Sequence, residues 1–447
     1  MQTIQVGLIG LGNVGGGVAA ILTQQAELIT RRLGARLVLK RAARRHPERP
    51  SDAPLAASQI TGDPLAVIHD PEIDIVVELM GGYEPARTYL LEALRAGKHV
   101  VTANKALLAE HGQELFEAAA AAERDIGFEA SVGGGIPVIR TIKEGFVANR
   151  FGAIASIING TCNYILSRMS DADLDFAAAL KEAQALGYAE ADPHFDIAGI
   201  DAAQKIALLA TLAFGSWVPH EQVYTEGIDG LSRLDIAYAS ELGYRVKLLA
   251  LAKACPGRGP GMAEDQLDVR VHPAFVALDS WLAHVNGVHN AVSVEGDAVG
   301  RSMLIGRGAG AMPTGSAVVG DVVEVARNIL HGSSGRVPPR AYQENSLRQL
   351  PLQKIDEVVC RYYLRFQVLD QPGTLAAIAG ILGQHAISIE SVLQKGRAHV
   401  PGTPVSVVMM THEAREQSVQ RALQAIASLP AVQGETIRIR VEDAVEA

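Results

Sequence analysis

The chain has 447 residues, of which 48% are hydrophobic, so its length predicts two or three domains with a sizeable core. Its formal net charge of −9 argues against a nucleic-acid partner, because such partners are bound by basic surfaces. No stretch approaches the roughly 18 apolar residues of a membrane span. Three cysteines far apart from one another favour neither a disulfide framework nor a zinc site.

The N-terminal part alternates strands with helical segments. It begins on a strand pattern, MQTIQVGLIG, without the charged region of a signal peptide, so we expect a cytoplasmic location. Apolar runs such as RLVLKRAA, IDIVVELM and HVVTA then recur between Ala- and Leu-rich segments. Strands that alternate with helices are typical of a parallel sheet with helical crossovers.

A glycine-rich loop follows the first predicted strand. In the segment IGLGNVG, the spacing G-x-G-x-x-G is formed by Gly10, Gly12 and Gly15, with Asn13 and Val14 between them. Glycine at these positions permits a tight turn and a close approach to a pyrophosphate, which the next helix N-terminus attracts. We predict a dinucleotide site here; the alternative is a glycine-rich turn that binds no ligand.

The end of the second predicted strand bears on the choice of nucleotide. The segment LKRAARRHPER places Arg44 and Arg45 where an NAD-selective site usually has an acid for the ribose hydroxyls. Arginine pairs well with phosphate, so NADP is favoured, with NAD as the alternative. If these arginines bind no nucleotide, they belong to a solvated turn.

Lys105 opens a predicted helix directly after the strand that ends at Thr102 or Ala103. Ligands of open α/β sheets bind outside the carboxyl ends of the strands. A cation in the first turn also lies at the unfavourable end of the helix dipole. Lys105 is therefore a candidate for contact with cofactor or substrate, although a solvated lysine is the simpler interpretation.

The segment GIDAAQKIALLATLAF predicts a helix from Ile200 to Phe214 that is buried on most sides. Asp201 and Lys205 are four residues apart and share a face of this helix. A buried pair carries a desolvation cost that can exceed its attraction. We therefore interpret the pair as part of a functional cavity; the alternative is a structural ion pair.

These residues suit hydride transfer between a nicotinamide and a carbonyl group. Such a reaction needs a proton donor for the developing alkoxide, and a lysine serves when desolvation or a second positive charge lowers its pKa. Two lysines, Lys105 and Lys205, one from each predicted domain, fit this demand. The acids of this segment, Glu190, Asp192, Asp196 and Asp201, would then bind the ammonium group of an amino-acid substrate.

Several segments together resemble homoserine dehydrogenases of the bacterial form with a C-terminal ACT domain. They are GLIGLGNVG, VVTANKALLA, FEASVGGGIPVIR, INGTCNYIL, GYAEADPHFDIAGIDAAQK, GRGAGAMPTGSAVVGD and DQPGTLAAIAGILGQHAISI, so the resemblance covers nearly the whole chain. It implies the reversible NAD(P)H-dependent reduction of L-aspartate 4-semialdehyde to L-homoserine, a step toward threonine and methionine.

The resemblance also implies an α/β fold in three parts. They are a Rossmann domain with a parallel sheet at 1–138, on which the segment 306–330 packs, a mixed α+β substrate-binding and dimerisation domain at 139–305, and an ACT-like α+β regulatory domain at 355–447. We expect the linker 331–354 to separate this terminal domain from the active domains, and Thr374 to cap its first helix.

Further residue roles follow from the resemblance alone. Lys205 would donate or accept the proton, and Lys105 would lie near both nicotinamide and substrate. The acids Glu190, Asp196 and Asp201 would hold the amino end of homoserine or orient Lys205.

Thr161 would lie close to the substrate, and the segment around Gly308 and Gly310 would close the nicotinamide site. A monovalent cation such as sodium would be bound by the carboxylate of Glu129 and by carbonyl oxygens of Val132, Gly134 and Ile136. Oxygen ligands suit a hard cation.

The resemblance implies a homo-oligomer, either a dimer or a tetramer, with L-threonine as an effector bound near residues 370–373. A terminal domain that serves assembly only is the alternative.

Two other functions stay open: an aspartate-semialdehyde dehydrogenase acting through Cys162, and a non-catalytic amino-acid sensor. Asn13 stands where the family commonly has threonine and His46 where it usually has an acid, so the nucleotide preference stays open as well.

Overall fold

The computed structural model describes residues 1–49, 53–256, 264–395 and 403–442. The helices are α1 (Asn13–Gln24), α2 (Ala26–Leu33), α3 (Leu65–Ile68), α4 (Ala86–Arg95), α5 (Lys105–Ala121), α6 (Val138–Arg140), α7 (Gly160–Asp171), α8 (Phe176–Ala185), α9 (His194–Ile197), α10 (Ile200–Phe214), α11 (Arg233–Glu241), α12 (Ala311–His331), α13 (Thr374–Gln384) and α14 (Glu416–Ala427).

The strands are β1 (Thr3–Ile9), β2 (Arg36–Ala43), β3 (Ile60–Thr61), β4 (Ile75–Glu78), β5 (His99–Thr102), β6 (Ile126–Gly127), β7 (Phe151–Ile157), β8 (Tyr224–Thr225), β9 (Tyr244–Pro256), β10 (Glu264–Ala277), β11 (His289–Gly296), β12 (Gly300–Arg307), β13 (Val359–Leu369), β14 (Ile389–Gln394), β15 (Pro404–Thr411), β16 (Ala414–Arg415) and β17 (Ile437–Val441). Residues 396–402 and 443–447 of the predicted terminal domain lie outside the described residues.

The N-terminal sheet has six parallel strands in the order β3-β2-β1-β4-β5-β6. Strands β4 and β5 are buried along their whole length, as expected for a parallel sheet that helices cover on both faces. The strand order reverses between β1 and β4, and nucleotides bind at the carboxyl ends of the strands at such a reversal. The predicted parallel α/β sheet is confirmed.

Helix α12 packs on this first domain although it follows the second sheet in the chain. Val318 and Val322 of α12 lie in the same buried cluster as Val6 of β1. The start of α12 lies so close to α1 that a Cβ atom at Gly17 would be 2.3 Å from the carbonyl oxygen of Ala311. The loop 308–310, which precedes α12, is thereby brought to the first domain.

The second sheet runs in the order β12-β11-β7-β9-β10-β17-β13-β15-β14, with β8 on β10 and β16 on β13. Strand β17 pairs in parallel with β10 and antiparallel with β13, so it belongs to both parts of the sheet. The expectation that the linker separates the terminal domain from the active domains is therefore wrong, because the last strand returns to β10. The predicted domain boundaries themselves stay predictions.

Buried charges join the two parts of this sheet. Glu442, which follows β17, lies 2.6 Å from Nη2 of Arg270 and 2.9 Å from Nζ of Lys253, both on strands of the substrate domain. Arg365 of β13 lies 2.6 Å from Oδ1 of Asp235 on α11, and Asp235 is fully buried. The terminal domain therefore supplies partners to charges that the substrate domain buries.

Helix α10 has the predicted bounds, Ile200–Phe214. Left-handed glycines flank it, Gly199 with φ of 82° and Gly215 with φ of 62°, and the second ends the helix. Nearly every side chain between them is buried, as the apolar pattern predicted. No helix within the described ranges has both the length and the apolar character that crossing a membrane requires.

The predicted cap of α13 is wrong. Gly373, with φ of 89°, precedes the helix, and Thr374 is its first residue. The Thr374 hydroxyl donates to the carbonyl oxygen of Leu369 at 3.3 Å, so it closes the turn between β13 and α13. Glycine takes the cap position because the turn needs a left-handed residue there.

Candidate active site

The centre of the site is the side chain of Lys205, in the second turn of α10. Its Nζ atom donates to Oδ2 of Asp201 at 2.7 Å and to the carbonyl oxygen of Ile158 at 2.8 Å. The first partner lies one helical turn before it, and the second follows β7. An ammonium group has three N–H donors, so one donor of Lys205 remains for another acceptor.

Lys105 reaches the same aspartate from the nucleotide-binding domain. It is the first residue of α5, which Asn104 caps by accepting a hydrogen bond from the Leu107 N–H group at 3.2 Å. The Nζ atom of Lys105 lies 3.2 Å from Oδ1 of Asp201 and 5.9 Å from the centre of the Phe195 ring. Two lysines from two domains therefore converge on one carboxylate.

The surroundings of Asp201 favour its ionised form. Burial would raise the pKa of this carboxyl group, but the charges of Lys205 and Lys105 and its hydrogen bonds outweigh burial and lower the pKa to about 2. An acid with so low a pKa does not exchange protons near neutral pH. Asp201 is therefore suited to be the charged partner of the two lysines, and its contact with a substrate ammonium group stays a prediction.

Asp196 lies next to this ion cluster and has a different environment. Asn159 donates its Nδ2–H groups to Oδ1 of Asp196 at 2.7 Å and to Oδ2 of Asp201 at 2.9 Å. Burial raises the pKa of Asp196, and the nearby Asp201 charge raises it further, while the Asn159 hydrogen bond and Lys205 oppose the rise. The two carboxylates are thus held together by one amide.

Thr161 and Glu190 lie at the edge of the cluster. The hydroxyl of Thr161 donates to the carbonyl oxygen of Tyr188 at 2.7 Å, which ties α7 to the loop that carries Glu190. Glu190 is exposed, and its carbonyl oxygen accepts a hydrogen bond from Gln184 at 3.1 Å. Within the part of the chain that the structure describes, its carboxylate makes no contact with the lysines, so its substrate-binding role stays a prediction.

The glycine-rich loop has the geometry that a pyrophosphate site requires. Gly10 has φ of 103°, and a Cβ atom there would lie 2.6 Å from the carbonyl group of Leu79. A Cβ atom at Gly15 would lie 2.1 Å from the carbonyl oxygen of Gly10. Gly12 faces open space and precedes α1, in whose first turn Asn13 and Val14 lie. The first turn can therefore present its N–H groups to an anion.

The two arginines follow β2 as the sequence predicted. The Nη2 atom of Arg44 donates to the carbonyl oxygen of Pro47 at 3.2 Å, which stabilises the turn. Arg45 is exposed, and His46 lies 3.4 Å from Glu48. The turn therefore presents Arg45 at the carboxyl end of β2, where the ribose of a dinucleotide lies in folds of this kind.

The loop before α12 meets the loop 132–136 at Gly308. A Cβ atom at Gly134, which has φ of 56°, would lie 2.3 Å from the carbonyl oxygen of Gly308, so glycine is required at this approach. A Cβ atom at Gly308 would in turn overlap the side chain of Asn290. The segment predicted to close the nicotinamide site is thus fixed against the loop predicted to bind a cation.

Glu129 is a buried carboxylate whose surroundings fit an oxygen-bound cation. Its two oxygens accept hydrogen bonds from the Ile139 and Arg140 N–H groups, both at 2.8 Å, and each oxygen keeps a second lone pair. Burial and the nearby Asp321 raise the pKa of Glu129 to about 7, so a cation here would favour its ionised form. The carbonyl oxygen of Ile136 likewise accepts one hydrogen bond, from the Val138 N–H group at 2.8 Å, and keeps a second lone pair.

Comparison with known proteins decides the family. The model of homoserine dehydrogenase matches residues 137–323, the model of the homoserine dehydrogenase NAD-binding domain matches residues 10–129, and the ACT-domain model matches residues 362–431. The chain belongs to the homoserine dehydrogenase family. It is an NAD(P)-dependent oxidoreductase with a C-terminal ACT domain, as the resemblance implied.

Full-length relatives support this membership. Homoserine dehydrogenase of Pseudomonas aeruginosa is 46% identical over 442 residues, which cover 99% of both chains. The crystal structure of a homoserine dehydrogenase from Thiobacillus denitrificans superposes with a TM-score of 0.90 at 46% identity, again over 99% of both chains. A hyperthermophilic archaeal homoserine dehydrogenase mutant in complex with NADPH matches 72% of this chain and 98% of its own, with a TM-score of 0.58 and 25% identity.

The surroundings of Cys162 do not favour the alternative function, an aspartate-semialdehyde dehydrogenase that forms a thioester on this cysteine. This cysteine is fully buried in α7, and its Sγ atom donates to the carbonyl oxygen of Asp196 at 3.2 Å. Burial, together with the charges of Asp196 and Asp201, raises the pKa of the thiol well above its usual value. A nucleophilic cysteine needs the opposite, a lowered pKa and access to substrate.

Two groups of the site were missed from the sequence. The carbonyl oxygen of Ile158 binds Lys205, and the amide of Asn159 joins Asp196 to Asp201. Backbone carbonyl groups leave no signal in a sequence. Asn159 did leave one, because an asparagine directly before a helix is a frequent N-cap, and here it caps α7 through the Cys162 N–H group at 2.8 Å.

Proposed function

We propose that this chain interconverts L-homoserine and L-aspartate 4-semialdehyde with NAD(P), with Lys205 transferring the proton and Lys105 assisting. The convergence of Lys205 and Lys105 on Asp201 is the single observation that carries the proposal. It places a proton donor of the substrate domain, the Lys205 ammonium group, at the edge of the nucleotide domain. A bound nicotinamide would supply the hydride to the aldehyde carbon, or accept it from the alcohol carbon.

Lys205 handles the proton in both directions. In the reduction, its ammonium group donates a proton to the oxygen on which negative charge develops, and in the oxidation its neutral amine takes the alcohol proton. The two hydrogen bonds to Asp201 and Ile158 fix the Nζ atom while leaving the third N–H direction for this oxygen. Lys105 adds positive charge to the same region and so stabilises the developing alkoxide.

The acids would hold the amino end of the substrate. Asp196 uses Oδ1 for Asn159, so its other oxygen is suited to accept from an ammonium group. Glu190 and Thr161 border the same loop and are proposed as further contacts. A charge that is not changed by hydride transfer is a binding group, so these residues govern substrate affinity more than the chemical step.

NADP is the proposed nucleotide, and Arg44 and Arg45 are the proposed partners of its 2′-phosphate. Their place directly after β2 supports this, as does the similarity to the archaeal enzyme solved with NADPH. A monovalent cation such as sodium would be bound by Glu129 and by the carbonyl groups of Val132, Gly134 and Ile136. It would offset the buried Glu129 charge and hold this loop against Gly308.

We further propose that the chain forms a homo-oligomer, in part through its ACT domain, and that L-threonine inhibits it through the turn 370–373. The continuity of the second sheet supports such coupling, because β13 leads from this turn to Arg365 and its partner Asp235 in the substrate domain. Assembly without regulation is the alternative. The cytoplasmic location stays a prediction.

The direct test is turnover of L-homoserine by the purified protein, measured as NADPH and NADH formation with each nucleotide. We expect homoserine-dependent activity that needs no phosphate and survives thiol alkylation, since Cys162 is buried. Nucleotide binding without any turnover would favour the non-catalytic sensor. Phosphate-dependent oxidation of the semialdehyde that alkylation abolishes would favour the thioester enzyme.

A further inference from the structure

Asn159 occupies the point where the substrate-binding acids and the lysine cluster meet. It is 4% exposed, and it lies between β7, which ends at Ile157, and α7, which begins at Gly160. Its Nδ2 atom donates to Asp196 at 2.7 Å and to Asp201 at 2.9 Å, while its Oδ1 atom accepts from the Cys162 N–H group at 2.8 Å. Both side-chain donors are therefore used on acids.

The orientation of the amide follows from these partners. If the amide were turned over, its oxygen would face two carboxylates and its NH₂ group would face the Cys162 N–H group, so every contact would be repulsive. The helix cap therefore fixes the direction of the two donors. A side chain with a single donor cannot satisfy both Asp196 and Asp201 in this way.

We propose that Asn159 is a positioning residue that holds Asp196 and Asp201 in one fixed arrangement, and so joins the binding of the substrate ammonium group to the orientation of Lys205. This inference rests on the proposed function. Asn159 acts through these two acids, and it adds a residue to the site that neither the spacing of the acids nor the two lysines indicated.

The charges around Asp196 determine what the amide contributes. Asp201 and Lys205 face it from α10, while Thr161 and Cys162 lie on α7, and the thiol of Cys162 donates to the Asp196 carbonyl. Burial and Asp201 favour the neutral form of Asp196, and the Asn159 hydrogen bond favours the ionised form that an ammonium group needs. Removal of that hydrogen bond should therefore extend the neutral form to higher pH.

The test compares Asn159→Ser with wild type from about pH 4, near the ordinary pKa of an aspartate carboxyl group, to about pH 9, because the pKa of Asp196 is raised from that ordinary value. Serine is as good an N-cap as asparagine, so α7 should be retained, but serine has one donor for two acids. We expect the homoserine KM at neutral pH to rise about tenfold or more, and the acidic limb of kcat/KM to move to higher pH. The affinity for NADPH should stay within about twofold, because no nucleotide group is touched.

Asn163→Ser is the matched control. Asn163 is 1% exposed on the same helix and also uses both donors, but on the carbonyl oxygens of Val285 and His289. Its replacement should lower thermal stability at least as much while leaving the pH profile of kcat/KM in place. Calorimetric binding of L-homoserine to both variants gives the same comparison without turnover.

Three outcomes separate the inference from the function on which it rests. Absence of homoserine turnover and of homoserine binding by the wild type overturns both. Turnover by the wild type, with Asn159→Ser giving an unchanged KM and a superimposable pH profile, overturns the positioning role alone. A shift of the same size in Asn163→Ser also overturns it, because loss of any buried amide from α7 would then suffice.

Discussion

Replacement of Glu442 by glutamine removes the anion that joins the terminal domain to the substrate domain. Glu442 and Arg270 are each 2% exposed, and they are joined by a contact of 2.6 Å between Oε1 and Nη2. The second oxygen of Glu442 lies 2.9 Å from Nζ of Lys253. Glutamine therefore leaves a buried guanidinium with Asp268 as its remaining anionic partner among the described residues.

The size of the effect follows from desolvation. Removal of one member of a buried ion pair costs roughly 3–5 kcal/mol of unfolding free energy, because the other charge stays buried. Glutamine keeps one acceptor and Asp268 still offsets Arg270, so we expect the lower end, about 3 kcal/mol. Glu241→Gln is the control, since Glu241 and Lys395 form a pair that is 40% and 55% exposed. It should cost less than about 1 kcal/mol.

Urea unfolding followed by both circular dichroism and fluorescence measures the difference, since a chain of several domains need not unfold in one step. Glu442→Gln should lower the midpoint of at least one transition clearly, while Glu241→Gln stays near wild type. Equal midpoints for the two variants would refute the reasoning, because a buried and an exposed pair would then contribute alike.

The pair of Glu442 and Arg270 also leads us to expect that the stability difference between wild type and Glu442→Gln depends on pH. Burial would raise the pKa of Glu442, but the charges of Arg270 and Lys253 lower it well below its usual value. A lowered pKa in the folded state gives stability that is present above the unfolded-state pKa and is lost as pH falls through the folded-state value. The difference between wild type and Glu442→Gln should thus hold at neutral pH and shrink only below about pH 4.5.

Three further predictions concern substrate, nucleotide and effector. Glu190→Gln should chiefly raise the homoserine KM, and a collapsed kcat with an unchanged KM in steady-state assays would instead make it a catalytic group. Arg45→Asp should weaken NADP binding by about 1.5–3 kcal/mol with little effect on NAD binding, as measured by fluorescence titration. Equal losses of affinity for both nucleotides would mean that Arg45 belongs to a solvated turn and does not bind the 2′-phosphate. L-Threonine should inhibit without competing with homoserine, and Asp370→Ala should weaken that inhibition at an unchanged homoserine KM. Competitive inhibition, or no inhibition, would leave assembly as the role of the terminal domain. A point variant is needed here because truncation near Pro351 would also remove the partners of buried charges in the substrate domain.

The elements that the sequence predicted best are those with a strong local pattern. Strand β2 and helix α10 have the bounds that their sequence patterns indicated. In β2 the residues from Arg36 to Leu39 alternate between exposed and buried, whereas α10 is buried on most sides and is therefore an almost continuous apolar run. The place of Lys105 at the start of α5 followed from the end of β5 in the same way. Local signals of this kind also bring Asp201 and Lys205 to one helix face.

The parts that could not be predicted depend on contacts between distant segments. Strand β17 pairs with β10 although more than 150 residues separate Phe275 from its partner Val441, and nothing local distinguishes that pairing from one within the terminal domain. The carbonyl group of Ile158 is chosen by packing alone. The cap of α13 was mispredicted because threonine is a good cap in general, whereas this turn needs the left-handed Gly373.

The central claim is that Lys205 transfers the proton, and the kcat of Lys205→Ala for homoserine oxidation tests it most directly. Lys181→Ala, an exposed lysine of α8 in the same domain, is the control and should keep wild-type activity. Lys205→Ala should lose roughly 10²–10⁴ in kcat, the range of a positioned acid or base, while its NADPH affinity stays close to wild type. A Lys205→Ala enzyme that keeps more than about half of the wild-type kcat would contradict the assignment of this lysine to the proton transfer.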